Sequence, residues 1–177
     1  MIYHGTTILG ILRDDEAVIA GDGQVTLGDT IVKSNSQKVR YLADKSVLAG
    51  FAGAAADGFT LLSRFEEKLA EKGDLLRAAV ELAKDWRTDR YLRRLEAELI
   101  VLNKKTVLLL TGGGDVLEPE DGVVAIGSGA GYAIAAARAM LAYGKKMPLK
   151  EIAENALKIA AKICVYTNEF VTILELP

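Results

Sequence analysis

The order of strand-like and helix-like segments is the feature of this sequence that most constrains its fold. Four short runs rich in Ile, Val and Leu, typical of β-strands, come first, at residues 7–12, 17–20, 38–42 and 46–51. Apolar side chains at helical spacing then predict two helices. The first ends at Lys72, before Gly73, and the second begins near Leu76 and can extend to Leu95.

The second half of the chain repeats this order. Strand patterns at residues 98–102, 107–111 and 123–126 precede helical patterns at 133–141 and 149–160, and a last strand pattern covers 170–174. Neither half alternates strand with helix, which argues against a doubly wound parallel sheet. Two sheets that pack face to face and are covered by helix pairs, an α+β arrangement, would satisfy the pattern. The length of 177 residues and the absence of a linker indicate one domain.

Charge and composition exclude several classes of function. The net charge is −2, with acidic and basic residues interspersed, so the sequence does not predict an electrostatic site for nucleic acid or anionic lipid. The basic cluster at residues 87–94 is interrupted by Asp89 and is typical of a solvated helix face or a subunit contact. The sequence contains no apolar run of membrane-spanning length and no signal-peptide pattern. We therefore expect a cytoplasmic protein.

The single histidine and the single cysteine limit the catalytic chemistry. Ser-His-Asp and Cys-His catalysis both need an imidazole beside the nucleophile, and His4 is the only candidate. If His4 lies in a segment that is removed, the general base of a hydrolase must be a group other than histidine. Cys164 is the only cysteine, which excludes an internal disulfide and a thiolate zinc site.

Several short motifs resemble one family. They are Gly5-Thr6-Thr7-Ile8, Ala20-Gly21-Asp22-Gly23-Gln24, residues 49–53, residues 80–90, residues 125–129 and Ile163-Cys164-Val165-Tyr166-Thr167-Asn168. Together they resemble the proteasome β-type peptidases, which are N-terminal-nucleophile hydrolases, over nearly the whole chain. The resemblance implies a four-layer α-β-β-α sandwich and a threonine endopeptidase.

The resemblance also implies that residues 1–5 are a short pro-segment and that residues 6–177 form the mature peptidase domain. Cleavage between Gly5 and Thr6 would give Thr6 a free α-amine, whose reference pKa is about 7.7–8.0. Such an amine can accept the proton of the Thr6 hydroxyl near neutral pH and replace the missing histidine. We expect the pro-segment to be weakly anchored, near Lys38 and Gly53.

Four further residues match catalytic positions of this family. Lys38 matches a lysine beside the nucleophile, and Asp22 matches the acid that orients this lysine; without the family they would be a surface lysine and a turn aspartate. Ser128 matches a serine near the threonine amine and is also a candidate N-cap of the following helix. Gly53 resembles the glycine whose backbone N–H acts as oxyanion donor.

A cation site and the partners rest on the resemblance alone. Ala161, Cys164 and Thr167 match positions whose backbone carbonyls hold a monovalent cation, usually sodium, and this chain has Ala161 where the family often has glycine. Carbonyl oxygens suit hard cations. Outside the family, Cys164 is simply a buried small side chain. The resemblance implies two stacked six-subunit rings that enclose a chamber for unfolded polypeptides, with the hexameric ATPase HslU as partner.

Nucleotide binding by this chain itself is not predicted. Gly127-Ser128-Gly129-Ala130-Gly131 precedes a helical pattern, but the acidic residue of a dinucleotide-binding unit does not follow about 20 residues later. We expect ATP to be bound by the partner. Two alternatives remain at this stage: an amidase of the same class acting on a small molecule, and a non-catalytic ring subunit. Retention of Thr6, Asp22, Lys38 and Ser128 argues against the second.

Overall fold

The computed structural model describes residues 3–4, 6–144 and 146–176. Its strands, in chain order, are β1 (Tyr3–His4), β2 (Thr7–Arg13), β3 (Glu16–Asp22), β4 (Val25–Leu27), β5 (Thr30–Lys33), β6 (Val39–Leu42), β7 (Val47–Gly53), β8 (Ala97–Leu102), β9 (Val107–Thr111), β10 (Val116–Leu117), β11 (Val123–Gly127) and β12 (Val171–Glu175). The helices are α1 (Ala55–Lys72), α2 (Leu75–Thr88), a 3-10 turn (Leu92–Arg94), α3 (Ala130–Tyr143) and α4 (Leu149–Ile163).

Two antiparallel sheets form the centre of the molecule. One has the strand order β11-β2-β3-β12 and the other has the order β10-β9-β8-β7-β6, while β1, β4 and β5 form a small separate sheet. Helices α1 and α2 pack on the five-stranded sheet, and α3 and α4 pack on the four-stranded sheet. The predicted α+β class and four-layer α-β-β-α sandwich are confirmed.

The alternation of side chains along each strand explains why the layers stack. Along β2, Ile8 faces the other sheet, whereas Leu9 and Ile11 face α3 and α4. Along β8, Ile100 faces the apolar layer between the two sheets, here called the sheet–sheet layer, and Leu99 faces α1 and α2. Strands with two apolar faces stabilise the sandwich by burial on both sides.

Local capping explains where the helices end. Gly73 has a φ of 65° and its N–H donates to the Leu69 carbonyl, which ends α1 as predicted. The prediction that α2 extends to Leu95 is wrong, because α2 ends at Thr88. The carboxylate of Asp89 accepts the N–H groups of Tyr91 and Leu92 and thereby starts the separate 3-10 turn.

Two further differences separate the prediction from the structure. Strands β4, β5 and β10 were not predicted; β5 is exposed along its length and carries no burial signal. Tyr3 and His4 pair with β4, so the prediction that the pro-segment is only weakly anchored is wrong for these two residues. Within the described part of the chain, no helix is long and apolar enough to cross a membrane.

Candidate active site

Thr6 lies immediately before β2, at one end of the sheet–sheet layer. It is 4% exposed, and its carbonyl accepts the Ser128 N–H at 2.9 Å. The neighbouring Gly127, at the end of β11, has a φ of 89°, and a Cβ there would come within 2.0 Å of the Thr6 carbonyl oxygen. Only glycine allows β11 to approach Thr6 this closely.

Asp22 ends β3 beside the start of β2, and its carboxylate is buried among backbone donors. Its Oδ1 accepts the Thr7 N–H at 2.7 Å, and its Oδ2 accepts the N–H groups of Gln24 at 3.0 Å and Asn168 at 3.1 Å. The carboxylate therefore connects three parts of the chain: Thr7, which follows Thr6, the turn at Gln24, and the C-terminal segment at Asn168.

Lys38 completes a buried ion pair with Asp22. Its Nζ lies 3.5 Å from Asp22 Oδ1, and it also donates to the Gln24 carbonyl. Burial lowers the pKa of Lys38, and the charge and hydrogen bond of Asp22 partly oppose this shift. The structure thus brings together Asp22, Lys38 and the start of β2. Because its pKa is lowered, the Lys38 ammonium loses its proton more readily than an exposed lysine does.

Ser128 lies close to Thr6 through its backbone. It is exposed in the turn between β11 and α3, and the residue that caps α3 is Gly129, without a side-chain hydrogen bond. The alternative in which the Ser128 side chain caps this helix is therefore wrong. Among the described residues, its hydroxyl makes no hydrogen bond to another group.

Gly53 ends β7 at the same end of the sandwich. Its φ is 117°, and a Cβ there would lie 2.3 Å from the Glu96 carbonyl oxygen, so a side chain at this position would be strained and crowded. The bond between Gly5 and Thr6, which we predict to be cleaved, cannot be compared with the structure because Gly5 lies outside the described residues.

A second group of polar side chains lies beside the site, near α3 and the end of α4. The sequence did not predict that these side chains contact each other. The Thr7 hydroxyl accepts the Gly129 N–H at 2.9 Å and lies 2.7 Å from the Thr167 hydroxyl. The Asn168 amide oxygen accepts the Gly23 N–H at 3.1 Å. The sequence contained these residues in two separate motifs, Gly5-Thr6-Thr7-Ile8 and the segment that ends in Thr167-Asn168, but it did not indicate that they contact each other.

The three residues predicted to hold a cation lie at the end of α4. Ala161 is in its last turn, Cys164 is the C-cap, and the Thr167 N–H donates to the Cys164 carbonyl at 3.1 Å. Of the three carbonyls, that of Ala161 belongs to the last helical turn, where it lacks an intrahelical partner and lies at the negative end of the helix dipole. Three carbonyl oxygens are donors of the kind that suits a hard cation, although that of Cys164 already accepts the Thr167 N–H. Across the described ranges, no cluster of His, Cys, Asp or Glu offers a metal site of another kind.

Comparison with known proteins identifies the family. The model of the proteasome subunit family matches residues 2–176. The chain belongs to the proteasome subunit family. The family predicted from the motifs is therefore confirmed, and the match extends through both halves of the sandwich, including the segments that carry Thr6, Asp22, Lys38 and Ser128.

Individual relatives agree with this assignment. The chain is 57% identical over 173 residues to the "ATP-dependent protease subunit HslV" of Neorickettsia sennetsu, which covers 97% of this chain and 92% of that protein. The crystal structure of eukaryotic HslV from Trypanosoma brucei superposes with a TM-score of 0.91 at 46% identity, over 96% of this chain and 98% of that one. A Thiobacillus denitrificans protein described as BPH shares the fold, with a TM-score of 0.75 at 18% identity over 97% and 98% of the two chains.

Proposed function

We propose that this chain is a threonine endopeptidase, the proteolytic subunit of a two-component ATP-dependent protease, with Thr6 as its N-terminal nucleophile. The proposal rests on one observation above all. A buried Asp22–Lys38 ion pair lies directly beside the start of β2, in a chain of the proteasome subunit family. The relative from Neorickettsia sennetsu is, by its name, an ATP-dependent protease subunit.

The reaction uses the α-amine that cleavage after Gly5 releases. This amine accepts the proton of the Thr6 hydroxyl, and Oγ1 attacks the substrate carbonyl carbon. The carbon–nitrogen bond of the substrate then breaks, the departing amine takes the proton, and an ester remains on Thr6. Water attacks this ester in the second half of the reaction and restores the free hydroxyl and amine.

Lys38 acts on the nucleophile through its charge. A cation near the amine disfavours a second positive charge, so it keeps the amine neutral, and it stabilises the developing alkoxide. Asp22 orients Lys38 and compensates its burial. We propose the Gly53 N–H as the oxyanion donor, a role worth about 2.7–4 kcal/mol of barrier. The Ser128 N–H donates to the Thr6 carbonyl, and we propose that the Ser128 hydroxyl forms a hydrogen bond near the amine during turnover.

The assembly is proposed to be a double ring of six-subunit rings that encloses the active threonines. Several large apolar side chains on the surface favour association with other chains, among them Tyr143, Val165 and Phe170, which are 87%, 78% and 64% exposed. The ATPase partner is proposed to be HslU, which would deliver unfolded polypeptides and shift the rings toward their active state. We propose a cytoplasmic location for this complex.

A sodium ion is proposed as a structural component, held by the backbone carbonyls of Ala161, Cys164 and Thr167. When bound, it would supply positive charge at the C-terminal end of α4. The loop that follows α4 also carries Asn168, whose N–H donates to Asp22. The residues of this loop therefore connect the proposed cation site to the carboxylate of the active site.

The proposed function is tested by a peptidase assay on the purified protein, with and without HslU and ATP. We expect hydrolysis of casein and of fluorogenic peptides, stimulation by the ATPase and ATP, and no turnover by Thr6→Ala. Hydrolysis of a small amide without casein cleavage would support the amidase alternative. Intact mass and light scattering of the same sample report the start of the chain and its oligomeric state, which we expect to be about twelve subunits.

A further inference from the structure

Glu98 places a carboxylate on the inner face of the sandwich at the end where Thr6 lies. It stands opposite Ala52 across the β7–β8 pair, and Ala52 belongs to the sheet–sheet layer. Two residues further along β8, Ile100 faces the same layer, so the alternation of side chains directs Glu98 toward the four-stranded sheet.

The side chain of Glu98 reaches that sheet. Its Oε2 accepts the Gly127 N–H at 3.2 Å. Gly127 is the partner of Thr7 in the β11–β2 pair, and a Cβ on Gly127 would lie 2.0 Å from the Thr6 carbonyl oxygen. Glu98 is therefore separated from the backbone of Thr6 by a single glycine.

Lys38 and Glu98 lie on opposite sides of Thr6. Strand β2, which begins directly after Thr6, runs between β3 and β11. Asp22, at the end of β3, contacts Lys38 on one side, and Gly127, at the end of β11, contacts Glu98 on the other. Asp22 balances the charge of Lys38, whereas no ion pair within the described residues includes Glu98, so the carboxylate adds a net negative charge to this end of the layer.

We propose that Glu98 is a specificity-determining residue that favours substrates carrying a lysine or arginine next to the scissile bond. The proposal rests on the peptidase function proposed above. A half-buried carboxylate attracts a cationic side chain more strongly than an exposed one does, because water screens it less. The hydrogen bond to Gly127 needs only an acceptor, so the negative charge itself is left available for recognition.

The substitution Glu98→Gln isolates this charge. Glutamine keeps the shape of the side chain and an acceptor for the Gly127 N–H but removes the negative charge. The substrates are fluorogenic peptides that differ by one residue, lysine or methionine, placed in turn on either side of the scissile bond. We expect the ratio of kcat/KM for lysine to kcat/KM for methionine to fall about three- to tenfold at one of these positions. The methionine peptide reports any effect of the substitution that does not depend on substrate charge, so the ratio and not either rate alone carries the test.

The control variant is Glu16→Gln, which removes an exposed carboxylate at the opposite end of β3 and should leave the ratio unchanged. A wild-type measurement complements the substitution. The lysine preference should weaken between about 0.1 M and about 1 M salt, where the screening length falls from about 10 Å to about 3 Å.

Two outcomes can be told apart. An unchanged ratio in Glu98→Gln at both positions, with the methionine peptide still cleaved, would overturn the role of Glu98. Failure of the wild-type protein to cleave any of the peptides with HslU and ATP would contradict the proposed peptidase function itself.

Discussion

The hydroxyl of Thr7 lies 2.7 Å from the hydroxyl of Thr167, across 160 residues of sequence, and both side chains are buried. The same Thr7 hydroxyl accepts the Gly129 N–H, and the Thr7 N–H donates to Asp22. Thr7 thus attaches the strand that follows Thr6 to α3, to the C-terminal segment and to the Asp22 carboxylate. The position of Thr6 is set by its neighbour as much as by its own contacts.

Removal of the Thr7 hydroxyl should therefore destabilise the protein. Thr7→Val leaves the buried Gly129 N–H and the Thr167 hydroxyl without this partner, which should cost about 1–3 kcal/mol, whereas Thr7→Ser should keep most of the network. Thermal unfolding measures the difference. Thr60→Val is a matched control, because the exposed Thr60 hydroxyl, among the residues that the structure describes, donates only to the Ala56 carbonyl of its own helix. Equal midpoints for the Val variants at positions 7 and 60 would contradict the prediction.

Substitution of the nucleophile should abolish turnover without affecting assembly. Thr6→Ala removes the attacking oxygen and should lower kcat by a factor on the order of 10⁴ or more, while Thr6→Ser should keep part of the activity. Peptide hydrolysis is measured alongside light scattering, which checks that the oligomer is retained. Wild-type turnover by Thr6→Ala would refute the proposed mechanism.

The alkaline limit of activity should follow the charge of Lys38. Burial lowers the pKa of Lys38 below its usual 10.5, so the cation is lost at lower pH than in an exposed lysine, and kcat/KM should fall there. Asp22 raises this pKa, and Asp22→Asn should therefore move the alkaline limb to still lower pH. The measurement is kcat/KM from about pH 7 to about pH 11. A limb that stays in place, or moves to higher pH, would exclude Lys38 as the titrating group.

The same shift has a consequence for stability. The unfolded chain binds the Lys38 proton more tightly than the folded chain does, so burial of Lys38 costs stability at neutral pH. This cost decreases as the pH rises from the lowered pKa of the folded state toward the usual value of 10.5. Lys38→Met should remove this contribution to the pH dependence of unfolding, although it leaves Asp22 with an uncompensated charge.

Gly127 should be intolerant of any side chain. Gly127→Ala would place a Cβ 2.0 Å from the Thr6 carbonyl oxygen in a residue with a φ of 89°. The resulting displacement of Thr6 should lower kcat/KM about 100-fold. Gly131→Ala is the control, because a Cβ at Gly131 would meet no atom within 4 Å, and its activity should equal that of the wild type. Comparable activity of the two variants would show that Thr6 does not depend on the close approach of β11.

Maturation should be visible in the mass of the active protein. An amide nitrogen cannot act as a base near neutral pH, so a chain that retains Gly5 should be inactive even with Asp22 and Lys38 in place. Mass spectrometry of active protein should show loss of residues 1–5 and a chain that begins at Thr6. Full activity in a homogeneous sample that still contains His4 and Gly5 would exclude an N-terminal nucleophile.

Much of the fold was predictable because its signals are local. The spacing of Leu62, Phe65 and Leu69 predicts a helix with one buried face, and these three side chains form part of the core under α1. Strand β5 could not be predicted in this way, since its four residues are all exposed and it pairs only with β4. Helix α2 ends earlier than its periodicity predicts, because the side chain of Asp89 competes with the helix for backbone donors.

The sequence by itself determined the four layers and the motifs that identify the family, because hydrophobic periodicity and short motifs act between residues close in the chain. Only the tertiary structure decided what surrounds Thr6. The N–H of Asn168 reaches Asp22 across 146 residues, and Glu98 reaches Gly127 across 29. These contacts depend on how the two sheets pack and where their strands end. A local sequence pattern does not determine which distant residues are brought together in this way. Glu98 lies next to Thr6 because β11 packs against β8, and this packing cannot be read from the sequence around Glu98.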